Sequence, residues 1–284
     1  MTVFILYCMI ETARELRDFR LTKYRICSPK LNGIRGTKKI IFLSDLHNRM
    51  YGKENERLLK SIKNQHPDLI LIGGDMLVRK DGNSYDRTVR FLEKLPAICP
   101  VYCANGNHEQ KLKELPDKYE QSYEGYKKAL TACGIHMLEN ASETVRLDEA
   151  PVRISGLEIP LRAYARFGKK DLPLKEITDR IGEHGEEYQI LFAHHPGYIQ
   201  EYLEYGADLI LSGHYHGGVM RLPGIGGGVL PGFLLFSKNF RGKYKGGKQT
   251  GGVSRGLGTH SLPVRIWEWT GLVVLLPSCT SEEM

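Results

Sequence analysis

Apolar and polar residues alternate along the chain with two different spacings from about residue 38 onward. Short apolar runs that end in polar residues predict buried strands at 39–44, in DLILIGGD and in PVYCANGN. Between these runs, NERLLKSIKNQH and YDRTVRFLEKL place apolar residues at helical spacing. Strands that alternate with helices indicate β-α-β units and therefore a parallel sheet.

After residue 110 the strand patterns follow one another more closely. A polar helical stretch at 110–135 precedes three short strand patterns, IHMLEN, SETVRL and VRISGLEI, which predict an antiparallel portion or a second sheet. The remaining predicted elements are a charged helix at about 170–186, strand YQILFAHH, helix PGYIQEYLEYG, and strands ADLILSGH, GGVMRLPG and LVVLLP. No segment has the composition of an interdomain linker, so the pattern predicts one α/β domain with a mixed sheet over residues 38–284.

Residues 1–37 have a different pattern. The apolar run MTVFILYCMI is too short to span a bilayer, and the charged stretch ETARELRDFRLTKYR follows it. Together they predict an apolar or amphipathic helix followed by a lead-in to the domain. Two placements stay open for this helix: the surface of its own domain, or a peripheral position on the inner face of a membrane.

Composition narrows the class of partner. The chain of 284 residues has 41% hydrophobic and 26% charged residues, as ordinary globular proteins do, and a formal net charge of +7. A basic protein favours anionic partners such as phosphorylated small molecules, nucleic acid or an anionic membrane. A nucleic-acid partner is not expected, because no aromatic platform with interleaved basic residues is present. The six cysteines include no C-x-x-C pair, so we expect free thiols and a cytoplasmic location.

Side chains that can bind metals follow most of the predicted strands. Six of the ten histidines belong to this set, whose members are Asp45, His47, Asp75, Asn107, His108, His194, His195, His214 and His216. In α/β folds, ligand sites gather beyond the carboxyl ends of strands, so these side chains are expected to meet at one edge of the sheet. Any one motif alone is equally typical of a turn, a helix cap or a buried histidine. The whole set in order predicts a metal site.

The order of these motifs resembles that of the calcineurin-like metallophosphoesterases over roughly residues 38–277. The motifs are Asp45-Leu-His47, Gly74-Asp75, Gly106-Asn107-His108-Glu109, His194-His195-Pro and Gly213-His214-Tyr-His216. S-G-H-x-H-G-G and V-S-R-G-L-G-T-x-x-L-P-V-R are more narrowly similar to a bacterial, membrane-associated YkuE/YaeI-like subgroup. The chain departs from that subgroup at Tyr215, at Val219 and at Trp267-Glu268-Trp269-Thr270, so the subgroup's substrates are not carried over.

The resemblance implies a fold, a metal centre and a reaction. The fold is a mixed-sheet sandwich flanked by helices in α-β-β-α layers. One metal ion is expected on Asp45, His47 and His216, and a second on Asn107, His194 and His214, with Asp75 bridging the two. Carboxylate and imidazole ligands together suit manganese, iron or zinc, of which manganese is favoured. A metal-bridging hydroxide would attack a phosphate ester or pyrophosphate bond.

Two further residues have expected roles, His108 from the same resemblance and Arg255 from the chemistry of its guanidinium group. His108 is expected to be catalytic, because it follows a ligand without belonging to the ligand set and could protonate the leaving oxygen. The basic segment 238–261 is expected to be mostly a solvated loop, with Arg255 near the substrate phosphate. The substrate is expected to be a phosphorylated small molecule or a lipid-linked phosphate. Two alternatives remain, a nuclease and a catalytically silent scaffold of the same fold.

Overall fold

The computed structural model describes residues 2–79, 84–165, 171–216, 220–221, 228–229, 242–246, 249–258 and 269–279. Within these ranges the helices are α1 Thr2–Arg17, α2 Glu56–Lys63, α3 Asp86–Leu92, α4 Asn107–Glu114, α5 Tyr123–Ala132, α6 Leu174–Ile181 and α7 Ile199–Tyr205. The strands are β1 Arg20–Cys27, β2 Ile40–Leu43, β3 Leu69–Ile72, β4 Val101–Cys103, β5 Ile135–Met137, β6 Ala141–Leu147, β7 Ala150–Leu157, β8 Tyr188–Ala193, β9 Leu209–Ser212, β10 Met220–Arg221, β11 Gly228–Val229, β12 Gly242–Gly246, β13 Gln249–Val253 and β14 Gly271–Ser278.

These strands form two mixed six-stranded sheets and a short two-stranded one. The first sheet has the order β1-β14-β2-β3-β4-β5, and its only antiparallel pair joins β14 to β2. The second sheet has the order β12-β13-β9-β8-β7-β6, with antiparallel pairs at its two edges. The predicted antiparallel portion is β6 with β7, which belongs to this second sheet. The parallel strands of both sheets carry the predicted site motifs.

Alternation along the central strands assigns each side chain to one of three apolar clusters. Ile40 and Phe42 of β2 face the second sheet, where they pack with Phe192 and Leu211. Ile41 on the same strand faces the helices α2, α3 and α5 on the outside of the first sheet. A third cluster packs α6 and α7 on the outside of the second sheet. The layers are therefore helix, sheet, sheet and helix, as the family resemblance implied.

The N-terminal region differs in part from the sequence-based expectation. The helix α1 ends at Arg17, whereas the charged pattern extended the helix candidate to Arg25. Residues Arg20–Cys27 instead form β1, which pairs in parallel with β14 along its whole length. The charged residues of this segment prevented its recognition as a strand from the sequence, because an edge strand keeps many charged side chains in solvent. In the described part of the chain, no helix is long and apolar enough to cross a membrane.

The basic segment 238–261 also contains more regular structure than its composition indicated. Two of its stretches are strands, β12 and β13, and β13 adds to the second sheet beside β9. Glycine-rich strands lack the apolar alternation by which strands are recognised, so pairing with β9 determines this conformation. Residues 238–241, 247–248 and 259–261 of the segment lie outside the described residues.

Candidate metal centre

The loops that follow the parallel strands of both sheets meet at one edge of the sandwich. Asp45 and His47 follow β2, Asp75 follows β3, Asn107 and His108 begin α4 after β4, His194 follows β8, and His214 and His216 follow β9. Hydrogen bonds tie these loops together across the two sheets. Asp45 Oδ1 accepts from the backbone N–H of His214 at 2.8 Å, and Asp75 Oδ1 accepts from that of His108 at 2.8 Å.

Three groups of side chains each bring their donor atoms within 4.8 Å of one another. The groups are Asp45, His47 and His216; Asp75, His194 and His214; and His47, Asp75 and His108. The first two groups have no member in common, and they match the two ligand sets implied by the family resemblance apart from Asn107. The third group links them and contains His108, which the resemblance had placed outside the ligand set.

His194 is oriented so that a lone pair faces the centre. Its Nδ1 lies 2.7 Å from the carbonyl oxygen of Gly73, which can only accept, so Nδ1 carries the proton. In the neutral ring Nε2 is then an acceptor, and it lies 3.1 Å from Asp75 Oδ2. Despite that distance Nε2 makes no hydrogen bond to any described residue. Two acceptors that face each other inside a protein favour a cation between them, so this part of the site fits a metal ion.

The arrangement of Asn107 and His216 also fits a metal ion. His216 directs Nδ1 at the carbonyl oxygen of Gly258, 3.3 Å away, while its Nε2 lies 3.5 Å from Asp45 Oδ1 and 3.0 Å from His47 Nε2. Asn107 Oδ1 is buried without a hydrogen-bond partner among the described residues. A buried polar atom of this kind normally has a ligand, and an amide oxygen accepts a divalent cation well.

The electrostatics of the centre also favour positive charge. Burial lowers the pKa of His194, but without a metal ion the charges of Asp75 and Asp45 outweigh burial and raise it to about 10, so that a proton on Nε2 takes the place that a cation would occupy beside the neutral ring. Burial, followed by the effect of Asp75, raises the pKa of Asp45 to about 6 despite the opposing influence of His194. The two buried carboxylates thus repel each other and attract a cation, which is the condition for binding divalent metals between them.

Two glycines make this close approach possible. A Cβ on Gly74, whose φ is +86°, would lie 2.1 Å from the backbone nitrogen of Gly106. A Cβ on Gly213 would lie 2.4 Å from Asp45 Oδ2. Neither position has space for a side chain, because the loops from different strands are in direct contact there.

Glu109 connects two of the site loops. Its buried carboxylate accepts hydrogen bonds from the backbone N–H groups of Asp75 and Met76 at 2.8 Å, and from Gly106 at 3.1 Å. The bond from Gly106 caps the start of α4. Burial and the nearby charge of Asp75 raise the pKa of Glu109 to about 7. Glu109 therefore holds the loop after β3 against the start of α4.

His108 has a defined tautomer when neutral. Its Nδ1 accepts from the backbone N–H of Arg79 at 3.2 Å, which leaves Nε2 to carry the proton. Burial lowers the pKa of His108; Asp75 opposes this effect, whereas Arg79 and Lys111 add to it. The ring centre lies 4.9 Å from that of His47. A proton-bearing nitrogen is thus held beside the two donor groups.

The two remaining candidates occupy different surroundings. His195 lies outside the donor groups; its Nδ1 accepts from Gly197 N at 3.0 Å and caps the short 3₁₀ helix Pro196–Tyr198. The stem of Arg255 packs on Gly271 at the start of β14. The backbone of the next residue, Gly256, packs against Asp45 and His216. The phosphate role of Arg255 stays a prediction.

Sequence reasoning did not find every residue around the centre. The ring of Tyr164 lies 5.3 Å from that of His214 and 5.2 Å from that of His195, but no local motif marks it. Arg79 contacts His108 through its backbone. Its position four residues after Asp75, in the same loop, was the available signal.

A two-sheet sandwich that gathers buried aspartates and histidines at the carboxyl ends of its strands defines the class of metal-dependent phosphoesterases. The family model for the calcineurin-like phosphoesterases matches residues 38–218. The chain belongs to this family. Its expected substrates are accordingly phosphorylated small molecules, and its Asp and His clusters are suited to divalent metal ions.

Relatives support the YkuE/YaeI-like subgroup. The metallophosphoesterase YkuE of Bacillus subtilis is 30% identical over 80% of this chain and 74% of its own length. The phosphodiesterase YaeI of Escherichia coli is 26% identical over 73% of this chain and 70% of its own length. Among solved structures, a phosphopantetheinyl hydrolase from Mycobacterium tuberculosis is 13% identical, covers 76% of this chain and 88% of its own, and has a TM-score of 0.46.

Proposed function

We propose that the protein hydrolyses phosphodiester or pyrophosphate bonds with two divalent metal ions. The first ion would bind Asp45, His47 and His216, and the second would bind Asn107, His194 and His214, with Asp75 between them. The observation that carries this proposal is the pair of donor groups with no common member, each within 4.8 Å. Mixed carboxylate and imidazole ligands favour manganese, iron or zinc over magnesium and calcium.

The chain's own groups have separate tasks in this proposal. Gly73 and Gly258 orient His194 and His216 through their carbonyl oxygens, so that the other ring nitrogen faces the centre, where it would bind metal. Two such ions, held by these residues, would supply activation of the attacking water and positive charge for the phosphoryl oxygens. His108, with its proton on Nε2, then gives that proton to the oxygen that leaves.

The phosphodiesterase assignment is supported by the relative YaeI, whose name records that activity. A diester or pyrophosphate has a leaving oxygen that still carries a substituent, and that oxygen needs a proton or a stabilising charge as the bond breaks. The defined Nε2 proton of His108 meets that need. A hydrolase of diesters and pyrophosphates is therefore favoured over a silent scaffold.

The direct test is hydrolysis by the protein loaded separately with manganese, iron or zinc. The substrates are a phosphomonoester, a phosphodiester and a symmetrical pyrophosphate, each at saturating concentration. Asp75→Asn is the control for metal-independent turnover, since Asp75 belongs to two of the donor groups. The proposal requires metal-dependent hydrolysis of the diester or pyrophosphate. A protein that binds metals and hydrolyses none of the three would contradict it.

We also propose that α1 contacts an anionic membrane surface peripherally. Leu6 and Ile10 lie on one face of α1 and are 57% and 58% exposed, whereas Glu11 and Glu15 on the same helix are buried. Among the side chains of α1 that the structure describes, this is the reverse of the usual arrangement for a surface helix, which buries its apolar face. Arg14 and Arg17 follow at the end of the helix and are exposed, so the apolar face adjoins positive charge.

A further inference from the structure

Three basic side chains lie on the segments next to His108. Arg79 follows β3 in the loop of Asp75, Lys111 lies on α4 three residues after His108, and Lys118 ends the 3₁₀ helix Pro116–Lys118. Residues three apart on a helix share a face, so Lys111 lies beside His108. We call Arg79, Lys111 and Lys118 the cationic cluster. Within the described part of the chain, none of the three is paired with a carboxylate.

Arg79 is fixed in place yet retains unused hydrogen-bonding capacity. Its backbone N–H binds His108 Nδ1, and its Nη1 donates to the hydroxyl of Tyr119. The guanidinium carbon lies 5.3 Å from the centre of the Tyr119 ring. Its Nε is buried and makes no hydrogen bond within the described residues. A buried guanidinium donor without an acceptor is costly, unless a ligand supplies that acceptor.

The members of the cluster are close enough to influence one another and the centre. Lys111 is half-buried, and burial lowers its pKa; the charges of Arg79 and Lys118 lower it further, against the opposing effect of Asp75. Like charges that lie close together in a partly buried environment repel one another, and an anion bound between them would reduce that repulsion.

We infer that the cationic cluster binds a second phosphate of the substrate, beyond the phosphate that is cleaved. This inference rests on the proposed function and specifies its substrate class. The third donor group places His108 with His47 and Asp75 at the centre, and the Nδ1 of His108 accepts a hydrogen bond from the backbone N–H of Arg79. Because His108 would protonate the leaving oxygen, the second phosphate belongs to the leaving group. Diphosphates are therefore preferred over simple phosphodiesters.

Matched substrates test this preference. Methyl 4-nitrophenyl phosphate and dimethyl pyrophosphate both present a monoanionic phosphate for cleavage, but only the second carries another phosphate. We expect Lys111→Gln and Arg79→Gln to lower kcat/KM for dimethyl pyrophosphate about 10–100-fold, the effect of one lost charged hydrogen bond. For methyl 4-nitrophenyl phosphate, kcat/KM should stay within about 3-fold of the wild-type value, which is a much smaller change than the loss of one charged hydrogen bond causes. Decyl methyl pyrophosphate in mixed micelles extends the test to a lipid-borne diphosphate.

Lys128→Gln is the control, since it removes the same charge from an exposed lysine of α5. Metal content must equal that of the wild type in every variant. Equal losses on both substrates, or no loss on dimethyl pyrophosphate, overturn the inference.

A second measurement separates this inference from the proposed function. Binding of dimethyl pyrophosphate to the metal-free protein is followed by ³¹P NMR titration and compared with binding of dimethyl phosphate. Weaker binding of the diphosphate by Lys111→Gln supports the cationic cluster even if the wild type hydrolyses neither ester. If Lys111→Gln and Arg79→Gln both bind dimethyl pyrophosphate as tightly as the wild type does, the inference is overturned. Absence of hydrolysis alone contradicts only the proposed function.

Discussion

Five residues of the candidate centre hold the left-handed backbone conformation that side chains usually avoid. They are Asp45, His47, Asp75, His214 and His216, with φ between 49° and 66°. Each such residue costs on the order of 1–3 kcal/mol. Hydrogen bonds from Asp45 N to Gly74 O and from His47 N to Asp75 O, at 2.9 and 3.1 Å, help to maintain these conformations. The donor groups thus contain strained backbone at the positions where their side chains converge.

At the scale of single residues, the role of His108 can be tested directly. His108→Ala should keep the metal content, because the backbone N–H that binds Asp75 remains. Turnover should fall by about 10²–10⁴-fold on a substrate with a poor leaving group, the typical contribution of a general acid. A substrate with an activated leaving group should lose less, since its leaving oxygen needs no proton. Steady-state kinetics on the two substrates, with metal analysis, measure this.

His66→Ala provides the control for loss of a histidine, because His66 is exposed and lies outside all three donor groups. If His108→Ala keeps a kcat near the wild-type value on the substrate with the poor leaving group, His108 is not the general acid. A loss of bound metal in that variant would instead make His108 a ligand, as the third donor group allows.

The positions of the motifs predict which residues meet at the centre, but they do not predict how the side chains are oriented there. Strand-end positions indicated that Asp45, Asp75 and His194 would meet, because parallel strands share one carboxyl edge. The carbonyl oxygens that orient His194 and His216 come from Gly73 and Gly258, at separations of 121 and 42 residues. Local sequence pattern carries no information on such long-range backbone contacts.

At the scale of elements, the contact between the loop after β3 and the start of α4 depends on Glu109. Glu109→Ala removes the acceptor of buried N–H groups from Asp75, Met76 and Gly106. We expect the free energy of unfolding to fall by about 2–4 kcal/mol, because three buried N–H donors would lose their acceptor. Urea denaturation of the metal-free protein measures this change without a contribution from metal binding.

Glu114→Ala is the matched control, because Glu114 lies on the same helix and is exposed. The free energy of unfolding of Glu114→Ala should differ from that of the wild type by no more than about 0.5 kcal/mol, as for most surface substitutions. A similarly small change for Glu109→Ala would show that the two elements are held together by apolar packing alone.

The elements that sequence reasoning missed lie at sheet edges. The central strands β2, β3, β8 and β9 are continuous apolar runs, and their prediction was confirmed because both faces are buried. The edge strand β1 has the burial pattern of a half-exposed strand and carries three basic residues. Such a strand forms only because β14 is available to pair with it.

At the scale of the whole molecule, α1 defines the expected membrane contact. The full-length protein should co-sediment with anionic vesicles at low salt and dissociate at high salt. Leu6→Ser with Ile10→Ser should weaken vesicle partitioning by about 10-fold or more, since each apolar side chain contributes about 1.5–3 kcal/mol when fully buried. Sedimentation at several lipid concentrations gives the partition coefficients.

Leu115→Ser serves as the control, because Leu115 is also exposed, at 40%, but lies beside α4. It should leave vesicle binding unchanged. The membrane contact is wrong if the wild type stays in the supernatant with anionic vesicles at low salt. It is equally wrong if the double substitution binds as the wild type does.

Metal stoichiometry tests the two-metal centre most directly. Purified protein is stripped, saturated with manganese or zinc, freed of excess metal and subjected to elemental analysis per chain. The wild type should bind two ions and His216→Ala about one. Asp75→Asn should lose affinity for both, because Asp75 Oδ2 lies 3.1 Å from His194 Nε2 of the second donor group and 3.8 Å from His47 Nε2 of the first. One ion per chain at saturation, or two ions retained by Asp75→Asn, would contradict the proposed centre.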